Sequence, residues 1–179
     1  MKNQIQDCFK MHTMNEELHK LENRLLKNID LKISAITQDA ECEEYFGYNF
    51  RLKQLNIKYR KAKVTPKKNG LFVTLWKRNI KGQTEPFNHN DPFNFYIIAG
   101  EHSDKSGYFI FPRLLLAEKH ILTSDSKEGK RGFRIYTPWD ISLNKQAEKT
   151  QLWQSEYFID MALPEDLIAE KLTAIFKSS

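Results

Sequence analysis

The stretch Tyr59–Arg78, YRKAKVTPKKNGLFVTLWKR, indicates how the centre of the chain folds. It spans most of two strand-like segments, IKYRKAKVT and LFVTLWKR, which are separated by the loop Pro66–Gly70. Because Pro at the start of a loop and Asn-Gly at its end are typical of a tight reversal, the two segments predict an antiparallel β-hairpin. The same stretch carries seven Lys or Arg and no Asp or Glu. A hairpin with apolar strands therefore also carries a large positive charge.

The first of these segments changes character halfway along each face. Side chains alternate along a strand, so Ile57 and Tyr59 share a face with Lys61 and Lys63. A strand that crosses the edge of a covering helix gives this pattern, and so does a β-bulge. In either case we expect Lys61 and Lys63 to emerge toward an open groove. The alternative is that they are lysines at a strand end whose ammonium groups reach solvent.

Positive charge is concentrated in the middle of the chain. The net charge is +5, from 28 Lys or Arg against 23 Asp or Glu. Residues 45–84 contain eleven Lys or Arg and no acid, so the rest of the chain sums to −6. A basic segment against an acidic remainder predicts a dipolar surface and an anionic partner. A solvated face on a basic protein is the alternative.

Length and composition predict an ordinary globular domain. The chain has 179 residues, and no run approaches the roughly 20 apolar residues of a transmembrane helix. We predict a flexible arm over residues 1–12 and a single domain over residues 13–179. Cys8 and Cys42 are far apart and are predicted to be free thiols, which favours a reducing, cytoplasmic location. The N-terminus lacks the apolar core of a signal peptide. The five His are scattered, so no metal site is predicted.

The other apolar segments alternate between strand and helix patterns. Strands are predicted at YFGYNFRLK, FNFYIIAGE, GYFIFP and FRIYT, and the second and third are apolar on both faces, as in strands covered on each side. Helices are predicted after the capping pair Thr13 and Glu16, after Pro112, from Asn144 and from Pro164. The order predicts an α/β (α+β-like) domain with a single mixed, largely antiparallel sheet of about five or six strands flanked by helices.

Several of these segments together resemble a known family. KVTPKKNGLFVTLWKR, GYFIFP, residues 127–140 and NKQAEKTQLWQSEYF resemble, in order, the signature segments of the MepB family. These are small bacterial proteins of undefined activity, and the first described gene lies beside genes for a multidrug efflux pump and its repressor. The resemblance covers about residues 41–161. It implies a topology like that of the tRNA endonucleases or restriction endonucleases, but a fold does not fix a function.

The residues can be compared with the metal site of such nucleases. These enzymes use an Asp and a Glu-x-Lys on adjacent strands to hold Mg²⁺ and activate water. Where Glu-x-Lys would fall, the sequence reads Leu75-Trp76-Lys77, which keeps the Lys and lacks the carboxylate. Asp91 and Glu101 form the best remaining pair of acids. The sequence therefore favours a protein without catalysis or cofactor, with metal-dependent phosphodiester cleavage through Asp91, Glu101 and Lys77 as the alternative.

Basic residues interleaved with aromatic residues instead favour binding of nucleic acid or another phosphate ligand. Guanidinium and ammonium groups contact phosphates, while aromatic rings contact bases. An amide-rich ridge lies on the predicted helix at 144–158 and consists of Gln146, Thr150, Gln151 and Gln154. Its amides could read base edges, or they could cap carbonyls of the sheet. The predicted binding residues are Lys61, Lys63, Lys77, Arg78, Arg131, Arg134, Tyr136 and Gln151. DNA or RNA is the predicted partner, and an accessory to drug response that binds a small molecule or a protein is a further alternative.

Overall fold

A computed structural model describes residues 16–141 and 144–177. The predicted arm over residues 1–12 and the cap at Thr13 lie outside the described residues. Helix α1 covers residues 16–24 and leads into the 3-10 helix η1, Leu26–Ile29. A second 3-10 helix, η2, covers Ala40–Tyr45. Within the described ranges, no helix is both long and apolar enough to cross a membrane.

The remaining helices begin where the sequence predicts them. They are α2 (Arg113–Glu118), α3 (Lys145–Ser155) and α4 (Glu165–Lys177). Asn144 caps α3, because its side-chain oxygen accepts a hydrogen bond from the backbone N–H of Ala147 at 2.9 Å.

Eleven strands are present in the part of the chain that the structure describes. They are β1 (Ile33–Gln38), β2 (Tyr48–Leu52), β3 (Leu55–Lys61), β4 (Lys63–Thr65), β5 (Lys68–Thr74), β6 (Trp76–Arg78), β7 (Thr84–Pro86), β8 (Phe95–His102), β9 (Lys105–Pro112), β10 (Gly132–Ile135) and β11 (Phe158–Asp160). Six form the main sheet in the order β1-β2-β3-β8-β9-β11. Strands β3 and β8 run parallel, and the other four neighbouring pairs are antiparallel. The predicted fold class is therefore confirmed.

The main sheet is covered on both faces, as the apolar runs in β8 and β9 predict. Alternate residues of β8 belong to two different apolar clusters: Phe95 and Ile97 to one, Tyr96 and Ile98 to the other. The first cluster is closed by side chains of α1 and α4. The second is closed by α2 and by a small sheet of order β10-β5-β4. Strands β6 and β7 form a separate pair.

The predicted hairpin exists, but its first strand is divided between the two sheets. Strand β3 pairs with β2 and β8 in the main sheet, whereas β4 pairs with β5 in the small one. Ala62 marks the division, where its N–H donates to the carbonyl of Ala99 at 2.9 Å. The chain changes sheets at this point, so residues before and after Ala62 face different surroundings. This division explains why each face of the predicted strand changes character halfway.

The turn of the hairpin is shorter than the predicted loop Pro66–Gly70. Only residues 66–67 form the turn, and Thr65 pairs directly with Lys68. The next pair is Val64 with Leu71, so Asn69 and Gly70 form a bulge in β5. Gly70 has φ +74°, and a Cβ at this position would lie 2.7 Å from the Tyr136 ring. The Asn-Gly pair therefore serves the bulge, where only glycine fits.

Candidate functional site

Lys61 lies between two carboxylates that the sequence did not associate with it. Its Nζ is 3.1 Å from Glu17 Oε1 and 2.7 Å from Glu101 Oε2. Glu17 belongs to α1, and its side chain is only 8% exposed. Burial opposes the charge on Lys61, but contacts to Glu101 and Glu17 outweigh that effect and raise the pKa of the ammonium. We call these three residues the lysine–carboxylate cluster; inside it the lysine charge is already matched.

Three buried tyrosines surround this cluster. The Tyr59 hydroxyl donates to Glu17 Oε2 at 3.4 Å. Burial raises the pKa of Tyr48 to about 12, and the negative charge of Glu17 contributes to that rise. The pKa of Tyr59 and that of Tyr108 are raised by burial as well, with Glu17 and Glu101 again adding to the effect. All three hydroxyls therefore stay protonated over the physiological range of pH.

Other cations of Tyr59–Arg78 are also matched by acids. The fully buried guanidinium of Arg60 forms a salt bridge with Asp39, a pair that the sequence analysis missed. Lys63 Nζ lies 3.3 Å from Glu44 Oε2 and 4.4 Å above the Tyr45 ring. These acids come from η2 and the residue before it, outside the basic stretch. Arg60, Lys61 and Lys63, three of the seven cations of the stretch, therefore contact acids from segments that precede it.

The acids proposed for a metal site are far apart. Asp91 precedes β8 and accepts from Lys77 Nζ at 2.6 Å, whereas Glu101 lies near the other end of that strand. At about 3.3 Å per residue, the length of β8 between them is about 20 Å. Asp91 and Glu101 therefore cannot hold one metal ion together. No group of three His, Cys, Asp or Glu suited to a metal occurs among the described residues.

A cavity of about 630 Å³ contains the pair formed by Lys77 and Asp91. Its other two cations are also engaged: Arg51 Nε donates to Asn56 Oδ1 at 3.3 Å, and Lys58 Nζ donates to Asn49 Oδ1 at 2.8 Å and lies 4.2 Å above the Phe87 ring. Lys77 also lies 3.7 Å from Glu85. An anion that entered this cavity would therefore meet cations that already have partners within the protein.

The two predicted arginines beside β6 and β7 bind the protein's own groups. Arg78 Nη1 donates to the Gly82 carbonyl at 2.9 Å. Arg131 donates through Nε to the Thr84 carbonyl at 3.1 Å and lies 3.2 Å from Glu128. Both arginines thus stabilise local loops. The predicted cations are therefore distributed over several surfaces.

A second cavity, of about 490 Å³, lies between α2, β10 and α3, and we call it the α3 pocket. Four cations line it: Lys119, Lys130, Arg134 and Lys149. The only carboxylate among its described lining residues is Glu118. The pocket thus has a marked excess of positive charge.

Two of these cations have no acidic partner. Lys130 and Lys149 are exposed, and neither makes a salt bridge within the part of the chain that the structure describes. Lys119, by contrast, lies 2.8 Å from the exposed carboxylate of Glu118. Lys130 and Lys149 are therefore available to an anion from solution.

The wall of the α3 pocket is fixed by two polar side chains. Arg134 donates to the carbonyls of Asn69 and Gly70, both at 3.1 Å, and so holds the bulge in β5. Gln154 is fully buried; its Oε1 accepts from the Tyr136 N–H at 2.7 Å and its Nε2 donates to the Arg134 carbonyl at 3.0 Å. The amide of Gln154 thus takes the place of a neighbouring strand at the free edge of β10.

Aromatic and amide groups complete the lining. Tyr136 and Trp153 are half-buried in the wall, and the Trp153 ring is 5.4 Å from Phe111. Gln146 and Thr150 lie one turn apart on α3 and face the same cavity. Gln151 has a different role, because its Nε2 donates to two carbonyls of the loop before α3, at 2.7 and 2.8 Å. Part of the amide ridge therefore caps carbonyls and part lines the pocket.

The α3 pocket unites residues that the sequence analysis considered separately. Arg134 and Tyr136 were predicted binding residues, and the structure places both in this pocket. Lys119, Lys149 and Trp153 were missed. Lys149 and Trp153 are four residues apart on α3, and this helical spacing is their only sequence signal; Lys119 follows α2 and has no such signal.

The comparisons with known proteins give the family of this chain. Residues 39–160 match the model of the MepB-like family. The crystal structure of MepB is 36% identical in sequence and superposes with a TM-score of 0.72, covering 74% of this chain and 89% of that one. The bacterial homing endonuclease I-Ssp6803I is 13% identical with a TM-score of 0.44, covering 88% of this chain and 90% of its own. No curated protein matches significantly. On the family match and the MepB structure, the chain belongs to the MepB-like family.

Proposed function

We propose that this protein binds a phosphate-bearing ligand, above all nucleic acid, in the α3 pocket. One observation carries the proposal: Lys130 and Lys149 line the same cavity, are exposed and have no acidic partner in the described chain. Arg134 adds a further positive charge to the wall. A phosphate that replaces the counterions of such lysines gains free energy from their release.

The other lysines that were predicted to bind phosphate contribute less to the proposed site. Lys61, Lys63 and Lys77 each contact at least one carboxylate. A phosphate could reach them only by displacing that carboxylate, which costs the free energy of the existing ion pair. The stretch Tyr59–Arg78, whose charge suggested an anionic partner, is therefore expected to bind phosphate more weakly than the α3 pocket.

Binding of a labelled oligonucleotide, measured by fluorescence anisotropy over a range of salt concentrations, tests the proposal. We expect affinity to fall steeply with salt, and the double variant Lys130→Ala/Lys149→Ala to weaken binding. The variant should also lower the slope of log affinity against log salt by about two, because two phosphates are then no longer neutralised by lysines.

The matched control is Lys32→Ala/Lys53→Ala. Both residues are exposed and lie at the far edge of the main sheet, before β1 and in the turn between β2 and β3. This control removes the same amount of charge from a surface outside the α3 pocket. It should therefore reduce oligonucleotide affinity much less than Lys130→Ala/Lys149→Ala does. Absence of binding at low salt, or an equal loss in both double variants, would contradict the proposal.

A second candidate function is metal-assisted cleavage of a phosphodiester, and the lysine–carboxylate cluster favours it. Glu17 and Glu101 converge on Lys61, which gives two carboxylates and a lysine in one place. Mg²⁺ is commonly held by one or two carboxylates with water completing its shell, so Glu17 and Glu101 would be enough in number once the ion displaced the Lys61 ammonium that lies between them. Such an ion would polarise the phosphate and activate water, while Lys61 would balance the charge that develops.

Incubation of DNA and RNA substrates with Mg²⁺ or Mn²⁺ tests this second function. Cleavage should be sensitive to EDTA and should be lost in Glu101→Gln, which removes the more exposed of the two carboxylates, and urea unfolding checks that the variant is folded. Glu118→Gln provides the control, since that exposed carboxylate lies outside the cluster. If no cleavage sensitive to EDTA occurs with any substrate, this function is excluded.

A further inference from the structure

We infer that the α3 pocket takes an unstacked base of a single-stranded nucleic acid, with the flanking phosphates on Lys130 and Lys149. This inference rests on the proposed function and names the class of nucleic acid bound at the same site. The inference is based on the aromatic and amide groups that line the pocket beside its cations.

One part of the pocket wall is apolar and aromatic, whereas the remainder is polar or charged. Phe133 and Ile121 line it and are 7% and 3% exposed, while Trp153 and Tyr136 are half-buried in its wall. A phosphate alone gains nothing from such a lining, because the charged group would lose its hydration. A base has the opposite character, since its flat faces favour contact with aromatic rings. The pocket therefore suits a ligand with both a base and a phosphate.

The size of the cavity agrees with one unit of a chain. Its volume of about 490 Å³ lies in the range of sites for single small ligands. A base within a duplex is paired and stacked, so it could enter only by flipping out of the helix, at a cost of a few kcal/mol. A single strand presents its bases without that cost. The interior of the pocket thus favours single strands over duplexes.

The helix α3 supplies polar groups beside the aromatic wall. Gln146 is exposed and Thr150 is half-exposed, and both line the cavity on the same side of α3. Amides can donate to and accept from the edge of a base. Lys145 and Lys149 are four residues apart on this helix and both are exposed, which extends the positive surface beyond the cavity. That extension favours a polymer over a free nucleotide.

The test compares four labelled probes of equal length by anisotropy: single-stranded DNA, single-stranded RNA, the blunt DNA duplex, and single-stranded DNA with abasic sites. We expect the base-bearing single strands to bind about tenfold more tightly than the duplex and the abasic strand, because neither of these can stack a base on an aromatic side chain without further cost. The two single-stranded probes report whether the ribose 2′-hydroxyl contributes.

A substitution in the pocket tests whether the preference for base-bearing single strands arises there. Trp153→Leu should abolish the difference between the base-bearing and the abasic strand and leave the salt slope unchanged, whereas Lys130→Ala/Lys149→Ala should lower the slope and keep the difference. Thermal unfolding checks that Trp153→Leu is folded. If it is not, Gln146→Ala replaces it, since Gln146 is exposed; a smaller difference between base-bearing and abasic strands is then expected.

The possible failures are distinguishable. Equal binding of duplex and single strand that still depends on Lys130 and Lys149 overturns this inference and leaves the proposed function standing. Equal binding of the abasic and base-bearing strands does the same. Absence of binding to all four probes at low salt overturns both.

Discussion

The lysine–carboxylate cluster and the α3 pocket contain similar residue types in opposite electrostatic states. In the cluster, Lys61 is 21% exposed and lies within 3.1 Å of two carboxylates. In the pocket, Lys130 and Lys149 are exposed and have no acidic partner within the described ranges. Basic residues therefore indicate an anion site only where folding has not already provided acids.

The difference follows from burial. A charge that is removed from water needs a partner, because its lost hydration costs several kcal/mol. Lys61 points toward α1, so Glu17 is available to compensate for that loss. Lys130 and Lys149 stay in solvent and need no compensation. The cluster thus contributes mainly to the stability of the folded state, whereas the pocket is the surface that we propose for binding.

Glu17→Ala is expected to have the largest effect on stability. The substitution leaves the Lys61 ammonium half-buried with one fewer carboxylate and removes the acceptor of the Tyr59 hydroxyl. Loss of one partner from a buried ion pair typically costs about 3 kcal/mol of unfolding free energy. Urea unfolding measures the change.

The neighbouring Glu16→Ala is the matched control for that experiment. Glu16 is 60% exposed and pairs only weakly with Lys20, at 3.7 Å. Its loss should cost less than about 0.5 kcal/mol. Equal effects of the two substitutions would show that Glu17 does not stabilise the cluster.

Gln154→Ala tests the wall of the pocket. The fully buried Gln154 amide satisfies the Tyr136 N–H and the Arg134 carbonyl. Its removal leaves two backbone groups without partners, so we expect a loss of about 2 kcal/mol in unfolding free energy. Gln146→Ala changes an exposed amide on the same helix and should leave stability within about 0.5 kcal/mol. If Gln154→Ala were as stable as Gln146→Ala, the edge of β10 would not depend on that amide.

Alkaline pH should destabilise the cluster more than the pocket. The pKa of Tyr48 rises to about 12 on folding, and those of Tyr59, Tyr108 and Lys61 also rise. Groups with a raised pKa in the folded state contribute stability below their unfolded pKa, near 10 for tyrosine, and lose it as pH rises toward the folded value. The unfolding free energy should therefore fall between about pH 10 and 12.

Tyr48→Phe separates one tyrosine from this effect. The Tyr48 hydroxyl is buried and has no hydrogen-bond partner among the described residues. Its removal should be neutral or should stabilise the protein by about 1 kcal/mol at neutral pH. The fall in stability at alkaline pH should also become shallower. A clear loss of stability at neutral pH would mean that the hydroxyl does have a partner in solution.

The local pattern of the sequence was enough to predict most of the fold. Alternation in β2, continuous apolar runs in β8 and β9, and the helix starts at Pro112, Asn144 and Pro164 indicated elements that the structure contains. Strand β1 was missed because its side chains are almost all exposed, so its sequence has no apolar face. Strand β11 was missed because its three residues follow α3 almost directly and resemble a continuation of the helix.

The site was harder to predict because it depends on contacts between distant segments. Glu17 precedes Lys61 by 44 residues, and nothing in the local sequence links them. The same holds for Asp39 and the buried Arg60, which are 21 residues apart. Arg134 and Tyr136, predicted as binding residues because basic and aromatic residues alternate there, lie in the pocket wall, but their binding role stays a prediction. Charge pairing is set by the tertiary fold, so the sequence alone could not separate matched from unmatched lysines.

The smallest effect on stability is expected at the pocket lysines, and it tests most directly whether they differ from Lys61. Lys130→Ala/Lys149→Ala removes two exposed charges without acidic partners in the described chain, so the unfolding free energy should change by less than about 0.5 kcal/mol. Lys61→Ala removes one charge but leaves the buried Glu17 with only the more distant Lys20, at 3.4 Å, and should cost about 2 kcal/mol. Urea unfolding of the two variants beside the wild type measures both. If the pocket double variant were destabilised as much as Lys61→Ala, its lysines would be structural, and a fall in oligonucleotide affinity in that variant would no longer indicate a binding site.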